Sequence, residues 1–539
     1  MPLYPKAKER RVSLSDSGLR KSRFAVLRTA ALFGIILTLL FLALFSYIFG
    51  SLYQLNGHFH NLNVAFVDYD GGVVGEAVRQ AYDGLRADTF FTLSEQSPSE
   101  YSQPQGLRSA VCDIDYWGAL YISAGASDRL AAALSDANSA SSYNNSDVLT
   151  WIWNQARYPT TIDSLTAQVR TLVDAARVSY VQINGTGAVQ SLDTSSPAAV
   201  AAYSNPWQLA QINIQPTAQG SRLIYNTLVI ILILIQEFFF LATVNGLYVQ
   251  FGLFGRIRPL RMIFFRFLIS ALYTLAGSIC AIGAVWAFRS DWSVNGNQWA
   301  LSWITMWLFA HLNFLTLDVV AVWLPQPYVP MALISWVVLN VASILVPFEL
   351  SPAFYKWGYA LPAHAVYNIF IDIWSGGCNG PQLAAGLPVL FAYELSSGVL
   401  SALGVYRRAH YAVVAAEREE RSWQEKIATA VAECTRTGGG GGRTGGDDGP
   451  LALTRSKESA GGVAPDEGDV ESDAGAGAGA GAGEGRRGSA SSSSSSSSVE
   501  GLPDRAELTG RLWRATSQMT IEQAGSRRKE SIGPAFTLR

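Results

Sequence analysis

The stretch TAALFGIILTLLFLALFSYIFG, at residues 29–50, decides the fold. A helix that crosses the hydrocarbon layer of a bilayer needs about 20 mostly apolar residues. This stretch has that length, contains no charged residue and follows a basic segment at residues 1–28. Its apolar core is longer than the roughly 7 to 15 residues of a signal peptide. We therefore interpret it as a membrane anchor rather than a cleaved leader.

Five further apolar stretches follow, at residues 223–250, 262–288, 299–323, 329–350 and 384–406. Six predicted spans, one plus five, make the chain a mainly α membrane protein. The composition agrees, since 49% of the residues are hydrophobic, 15% are charged and the mean hydropathy is +0.17. A net charge of −2 does not favour a nucleic acid as a partner.

Basic residues beside the spans predict the orientation, because Lys and Arg close to spans stay in the cytosol. The basic N-terminus and the arginines after spans two and six all fall on one side, so both termini are predicted to be cytosolic. The plasma membrane is the expected location and an endomembrane is the alternative. One further arginine, a turn into span three, is expected to snorkel to the same face. These arginines are Arg256, Arg258, Arg261, Arg266, Arg407 and Arg408.

The long loop at residues 51–222 is predicted to be an extracytoplasmic α+β domain. It has no lysine, and short strand patterns at residues 63–67 and 119–123 alternate with helical patterns. Two glycosylation sequons, at Asn144 and Asn184, are usable only if the loop is outside the cytosol.

Two of the four cysteines, Cys112 and Cys378, are predicted on the same non-cytosolic side. A disulfide bond between them and two unpaired thiols remain equally open, because their separation in space does not follow from the sequence. Cys280 lies in an apolar span and Cys434 in the tail, so neither is placed to cross-link the loop domain.

The motif DYDGG, at residues 68–72, follows the first predicted strand. Two carboxylates at a strand end resemble the first motif of haloacid-dehalogenase-type phosphatases, in which they bind Mg²⁺. Gly72 stands where that motif has Thr, and the loop offers no matching downstream Lys and acidic pair. A turn between strand and helix is the favoured interpretation.

Polar residues within the spans are the candidate transport pathway, since each is costly near the centre of the bilayer. Span four carries two of them seven residues apart and hence on one helical face. An acid and histidine set can relay protons or bind a cationic substrate. The alternative is that these residues are hydrogen-bonding contacts between helices, or that they line a passive water cavity. The candidates are Glu237, His311, Asp318, Asn340 and Glu394.

Residues 349–377 are rich in aromatic residues and too interrupted by prolines to span. They are predicted to form an interfacial or re-entrant segment, either a gate or a packed lid over the bundle. The five-helix membrane domain, with this segment, covers residues 223–406.

No Gly-Lys dipeptide occurs, so the chain has no P-loop of the GxxxxGK[ST] type. If it works as an ABC-type permease, a separate nucleotide-binding subunit must handle ATP. If it works alone, a proton or substrate gradient is the remaining energy source. Five histidines and four cysteines show no metal-ligand spacing, and no cofactor is expected.

Beyond span six, residues 407–436 predict a cytosolic helix. Residues 437–539 contain poly-Gly, Ala-Gly and poly-Ser tracts that predict disorder. Three serines follow basic residues and are candidate phosphorylation sites, at Ser13, Ser489 and Ser531.

Several stretches together resemble one family. They are NLNVAFVDYDGGVVGEAV at residues 61–78, WGALYISAGAS at 117–127, NQARYPTT at 154–161, NPWQLAQINIQPTAQG at 205–220 and SPAFYKWGYALPAHAVYNIF at 351–370. The chain resembles the fungal nitrosoguanidine-resistance membrane protein family, a domain-of-unknown-function family of ABC-2-type permease-like proteins related to the phage-infection-protein type. That family has a similar order of one span, a large ectodomain and five spans.

The resemblance implies drug or mutagen resistance, by export or by redistribution of membrane lipid. It carries over no catalytic residue, and we expect a permease rather than an enzyme. The expected partners are membrane lipid, a small-molecule or lipid substrate, and either a second copy of the chain in a homodimer or the separate nucleotide-binding subunit. The alternative function is a non-transporting scaffold or assembly factor whose ectodomain binds partners.

Overall fold

The structure, a computed structural model, describes residues 16–217, 229–289 and 292–437. It begins with a short 3-10 helix at Ser17–Leu19 and the long helix α1, Arg20–Ser51. Only Leu44 and Ser51 of α1 are buried, so nearly the whole apolar surface of this helix is exposed. Such exposure is expected of a helix that faces lipid, where no water has to be excluded.

The inserted domain that follows α1 is built of alternating short strands and helices. After the 3-10 helix Leu55–Asn61 come β1 (Asn63–Asp68), α2 (Val73–Leu85), β2 (Thr92–Gln96), α3 (Pro104–Cys112), β3 (Gly118–Ile122), α4 (Ala126–Ser135), α5 (Ala137–Ser142), the 3-10 helix Asn145–Asp147, β4 (Leu149–Trp153), α6 (Pro159–Ser191), α7 (Pro197–Ser204) and β5 (Leu209–Asn213).

The five strands form one sheet in the order β2-β1-β3-β4-β5. Strand β1 pairs in parallel with β2 and β3, β4 runs antiparallel to β3, and β5 is parallel to β4. The run NVAFVD of β1 is buried on both faces, which fits its position inside the sheet. The α+β prediction for this loop is confirmed.

Helices cover both faces of the sheet. Helix α6 buries Ile162, Leu165, Val169 and Leu172, whose spacing of three and four residues places them on one side of the helix. The indole of Trp151, on β4, donates a 3.1 Å hydrogen bond to Thr166 of α6. On the opposite face, α3 packs against β1, β3 and β4 in a second apolar cluster.

The membrane bundle follows at residue 229. Its helices are α8 (Val229–Gln250), α9 (Leu253–Arg256), α10 (Pro259–Ala287), α11 (Gly296–Trp323), α12 (Val329–Ala342), α13 (Pro362–Trp374) and α14 (Gly380–Thr437), with 3-10 helices at Gln326–Tyr328 and Ala353–Ala360. Among the described residues, five helices are long and apolar enough to cross a membrane, namely α1, α8, α10, α11 and α14. The predicted start of span two, at residues 223–228, lies outside the described residues.

Predicted span five differs from the structure. Its helix, α12, ends at Ala342, and the predicted span continues to residue 350. At 1.5 Å per residue, α12 is about 21 Å long, shorter than the hydrocarbon layer of about 30 Å. Pro347 lacks the N–H that a continuing helix requires, and Ser343 donates to the carbonyl of Asn340 in the last turn.

The long helix α14 is continuous, so predicted span six and the predicted helix at residues 407–436 are parts of one element. The end of α14, residues 419–437, belongs to a second compact unit.

The segment before α14 connects the inserted domain to the bundle. Every residue of α13 is buried, which favours a packed lid over a gate. The hydroxyl of Tyr367, on α13, accepts a 3.1 Å hydrogen bond from the backbone N–H of Tyr158 in the inserted domain. Asn154 donates to Ser375 at 2.9 Å. Residues 209 and 221 positions apart in sequence thus hold the two parts together.

Candidate functional site

The polar side chains predicted as a transport pathway are enclosed by the bundle. Glu237, Asp318 and Asn340 have no exposed surface, and His311 is 5% exposed. Glu394 is partly exposed on α14. The structure brings three of these five residues into two hydrogen-bonded clusters, one around Asp318 and one around His311.

The Asp318 cluster joins one carboxylate to two arginines. Oδ1 of Asp318 accepts hydrogen bonds from Nη2 of Arg266 at 2.7 Å and from Nη1 of Arg408 at 2.8 Å. Oδ2 accepts from the hydroxyl of Ser401 at 2.6 Å. Such charge-assisted hydrogen bonds are the strong ones in proteins, and both oxygens of this carboxylate accept at least one hydrogen bond. The cluster ties α10, α11 and α14 together.

Arg266 does not snorkel to the membrane surface as expected. Its side chain is 5% exposed, and its guanidinium lies 4.8 Å from the ring centre of Tyr248. Nη1 of Arg266 also donates to Asn245 on α8 at 3.0 Å. The expectation was wrong because Asp318, one helix away, offers a buried counter-charge that the linear sequence did not pair with Arg266.

The His311 cluster lies on the same face of α11. Nδ1 of His311 is hydrogen-bonded to Oε1 of Glu394 at 2.7 Å, and Nε2 lies 3.1 Å from the hydroxyl of Ser270 on α10. The Ser270 hydroxyl donates its hydrogen to the carbonyl of Phe267 at 2.9 Å. A carboxyl group, an imidazole and a hydroxyl therefore form one hydrogen-bonded row across three helices.

This geometry determines where a proton can reside. Ser270 has one hydroxyl hydrogen, and when that hydrogen goes to the carbonyl of Phe267, Nε2 of His311 is the donor to Ser270. The bond between Nδ1 and Glu394 then holds one shared proton, carried either by the imidazole or by the carboxyl group. The second oxygen of Glu394, Oε2, has no hydrogen-bond partner among the described residues. Because Oε2 is itself buried, a group reaches it to exchange a proton with the pair only when the bundle opens there.

A cavity of about 30 Å³ separates the two clusters. Arg266 and Ser401 of the Asp318 cluster line it, as does Ser270 of the His311 cluster. This volume is sufficient for about one water molecule, and three polar groups supply the partners that a buried water requires. The cavity thus contacts both clusters.

Helical spacing explains why the clusters form. Glu394, Ser401 and Arg408 recur every seven residues on α14, as do His311 and Asp318 on α11. Residues seven apart lie on one face of a helix. The polar face of α11 meets the polar face of α14, and the hydrogen bonds from His311 to Glu394 and from Ser401 to Asp318 join them. Sequence reasoning missed Arg266, Ser270, Ser401 and Arg408 as members of the site. The seven-residue spacing of Glu394, Ser401 and Arg408 was the available signal for two of them.

Glu237 stands apart from both clusters. It lies on α8, and neither of its carboxyl oxygens has a hydrogen-bond partner among the described residues. Asn340 has a different role, since its side-chain oxygen accepts from the backbone N–H of Ala363 at the start of α13. Asn340 therefore stabilises the N-terminus of α13, and it belongs to neither cluster.

The carboxylates of the DYDGG motif are engaged in local contacts. Oδ1 of Asp68 accepts from the backbone N–H groups of Asp70 and Gly71, at 3.0 and 2.9 Å, and Oδ2 accepts from Arg79 at 2.9 Å. The pKa of Arg79 is raised, and its hydrogen bonds to Glu95 are the main cause. Asp70 accepts from the backbone N–H and the hydroxyl of Ser127. These contacts favour the turn interpretation over a phosphatase site.

The other predicted sites fall outside the bundle. Cys112 and Cys378 form a disulfide bond between α3 and the loop after α13. Asn144 is exposed in a turn, whereas Asn184 lies within α6 and donates to the hydroxyl of Tyr180 at 3.3 Å. The three candidate phosphorylation sites, Ser13, Ser489 and Ser531, lie outside the described residues.

Comparison with known proteins places this architecture in a family. The model of DUF3533, described as a protein of unknown function, matches residues 33–399. An uncharacterized endoplasmic reticulum membrane protein of Saccharomyces cerevisiae is 21% identical over 305 residues, which cover 52% of this chain and 58% of that relative. The chain thus spans less than two thirds of the relative's length. No solved structure matches the chain. Because the family match covers more than half of its residues, including the inserted domain and the bundle, the chain is an integral membrane protein that belongs to the DUF3533 family.

Proposed function

We propose that this protein is a proton-coupled permease that exports drugs or mutagens or redistributes membrane lipid. The observation that carries the proposal is the row Glu394, His311 and Ser270, enclosed in the bundle and separated from Ser401 by a water-sized cavity. A histidine that shares a proton with a carboxyl group inside a membrane is a typical component of proton relays. In this proposal the site binds and passes a proton and catalyses no reaction.

Glu237 supports the same function from a second position. An unpaired charge is costly to bury, so a carboxyl group without a partner in the bundle is a place where a proton or a passing cation is bound. The resemblance to the nitrosoguanidine-resistance and ABC-2-type permease families supports export or lipid movement as the task. The Asp318 cluster, in contrast, pairs one carboxylate with two arginines and a serine, which supports the role of a structural ion pair.

The first test is flux through the full chain reconstituted in vesicles with an imposed pH gradient. Glu394→Gln keeps the size of the side chain and can still hydrogen-bond to His311, but an amide cannot exchange a proton. We expect flux of a labelled lipid or drug to fall by about 10²-fold or more, since positioned acid and base groups typically contribute about 10² to 10⁴. Glu237→Gln is expected to reduce the same flux.

The matched control is Glu76→Gln. It makes the same chemical change on an exposed face of α2 in the inserted domain. Thermal unfolding of each variant establishes that it is folded. If folded Glu394→Gln and Glu237→Gln both retain full flux, and flux does not respond to the pH gradient, proton coupling is refuted.

The alternative is a non-transporting scaffold or assembly factor. In that case the buried polar residues are contacts between helices, and the inserted domain binds the partners. Vesicles that show no flux of lipid or drug with a pH gradient or with ATP, although the chain is folded, would favour this alternative. Flux that requires an added nucleotide-binding subunit would instead identify an ABC-type permease.

We further propose cytosolic termini and a location in the plasma membrane. Arginines beside the spans support the orientation. The endoplasmic reticulum location in the name of the yeast relative makes an endomembrane the first alternative. A homodimer remains the proposed assembly when no second subunit is required.

A further inference from the structure

A cavity of about 480 Å³ lies where the inserted domain meets the bundle. Its walls come from the 3-10 helix Leu55–Asn61, the first half of α6 and the segment that follows α12. Cavities that bind small molecules typically measure about 300 to 1,000 Å³. This cavity is therefore large enough for a ligand, unlike the water-sized cavity in the bundle.

One side of the cavity is apolar. Phe59, Val346 and Leu350 line it and are themselves buried, and Leu55 is half-buried beside them. Two of these residues, Val346 and Leu350, follow the end of α12, while Leu55 follows the end of α1. Helices α1 and α12 contact each other, so the apolar side continues the surface of two membrane helices.

The other side is polar but uncharged. The side chains of Asn56, Thr89, Thr160 and Thr161 line the cavity, and none of them makes a hydrogen bond to another described residue. Each hydroxyl can both donate and accept a hydrogen bond, and the amide can do the same. No charged side chain contributes to the described lining.

We propose that this cavity binds an uncharged amphiphile whose apolar body is continuous with a hydroxylated end. Sterols and diacylglycerols share this chemistry. The apolar side receives the body, and the unengaged amide and hydroxyl groups hydrogen-bond to the polar end. This inference deepens the proposed function by naming a substrate class, and it rests on that function only for what happens to the molecule after it binds.

The lack of charge in the lining provides the specificity. A phosphate or ammonium headgroup would lose water on entering the cavity and would find no counter-charge in the described lining, which makes binding unfavourable. A neutral hydroxyl loses far less hydration, and the polar side replaces those hydrogen bonds. The cavity should thus distinguish lipids by charge more strongly than by the shape of the apolar body.

The test is photolabelling of the full chain in bilayer discs, with binding measured in the absence of any gradient. Separate discs contain a photoactivatable sterol, a photoactivatable diacylglycerol or a photoactivatable phosphatidylserine. We expect the sterol, the diacylglycerol or both to label residues 55–61 or the start of α6, as mapped by mass spectrometry. Labelling by one but not the other identifies the source, and labelling by both supports the shared chemistry.

Two tryptophan variants of α6 provide a matched pair. Ser164 lines the cavity and Thr171 does not, yet both are exposed and both donate to the carbonyl four residues earlier in α6. Ser164→Trp should fill the cavity and reduce labelling about tenfold, which corresponds to about 1.4 kcal/mol. Thr171→Trp should label as the unmodified chain does. Asn56→Asp, which adds a charge to the polar side, should also reduce labelling.

Three results would overturn the proposal. They are phosphatidylserine labelling as strong as that of the neutral lipids, equal labelling of Ser164→Trp and Thr171→Trp, and the absence of any label at the cavity. The labelling experiment measures binding only, and flux is measured separately in vesicles. A chain that is labelled by the neutral lipid but shows no flux refutes the proposed function alone. A chain with gradient-driven flux and no label at the cavity refutes this inference alone.

Discussion

Asp318 has no exposed surface and accepts three side-chain hydrogen bonds, two of them from arginines. Its carboxylate is the counter-charge that the structure gives to the guanidinium groups of Arg266 and Arg408. Removing one partner of a buried ion pair leaves the other charge uncompensated, which is more costly than the pair itself is stabilising. This asymmetry supports a role for Asp318 in stability.

We therefore predict that Asp318→Asn lowers the free energy of unfolding by about 3 to 5 kcal/mol, because the buried Arg266 and the partly buried Arg408 lose their carboxylate. The measurement is unfolding of the full chain in detergent. The double variant Asp318→Asn with Arg408→Gln should recover part of the loss, since one of the two uncompensated charges is removed. A single variant as stable as the unmodified chain would contradict the structural role.

The sequence could place these residues on helix faces but could not pair them. The seven-residue spacing of His311 and Asp318 predicted that they share a face of α11, as the structure shows. Arg266 was assigned to the membrane surface, because a charge near a helix end usually snorkels. Pairing across helices depends on which faces meet, and a single sequence does not contain that information.

At the scale of elements, two glycines of α14 show how closely this helix approaches α11. A Cβ atom at Gly404 would lie 2.7 Å from Cγ2 of Val322, whereas a Cβ atom at Gly398 would have only one neighbour, at 3.9 Å. Small residues allow membrane helices to approach closely, and the hydrogen bonds to Asp318 require that approach. Gly404 thus supports the ion cluster through the distance between helices.

Gly404→Ala is predicted to destabilise the bundle by about 1 to 3 kcal/mol, the usual cost of overpacking. Gly398→Ala is the matched control on the same helix, and it should be neutral or slightly stabilising because alanine favours a helix by up to about 1 kcal/mol. Thermal unfolding of both variants in the same detergent provides the comparison. Equal stability of the two variants would show that α11 and α14 are less closely packed at Gly404.

Most elements were predictable from apolar length, since five helices of spanning length occur where the sequence placed them. The exception is α12, for which the apolar run through Leu345 and Val346 suggested a longer helix than the one that forms. Hydropathy does not register the loss of an N–H at Pro347 or the contact between Asn340 and Ala363 that ends the helix and begins α13.

For the molecule as a whole, the inserted domain and the segment around α13 form one connected body. The disulfide bond between Cys112 and Cys378 joins them, together with the hydrogen bonds from Asn154 to Ser375 and from Tyr158 to Tyr367. A movement that opens the bundle must therefore carry the inserted domain and α13 together, or break these contacts.

The disulfide bond leads to a prediction about stability. Replacing Cys112 and Cys378 together by serine should lower the free energy of unfolding by up to about 5 kcal/mol, because a long loop of the unfolded chain is no longer closed. Mass spectrometry of the non-reduced chain should show the two cysteine peptides linked. Cys280→Ser is the control, since Cys280 is a free thiol on α10, and it should leave both readouts unchanged. Unlinked peptides would contradict the pairing.

The overall architecture of one span, an inserted domain and a bundle followed from charge and hydropathy along the chain. The disulfide bond between Cys112 and Cys378 did not follow from charge or hydropathy. Placing Cys112 and Cys378 on the same side made a bond permissible, but their proximity arises only when α3 of the inserted domain lies against the loop after α13. Such contacts between distant segments depend on the complete fold rather than on any local pattern.

The bridge also has a consequence for the order in which the protein is made. Its two cysteines are 266 residues apart in sequence, and a ribosome adds roughly 5 to 20 residues per second. Cys112 must hence wait for roughly 13 to 50 s, as a thiol without its partner, while α8, α10 and α11 enter the bilayer. Formation of the bond would mark a molecule whose synthesis has passed the last loop, which is a natural checkpoint for the machinery that retains unfinished membrane proteins.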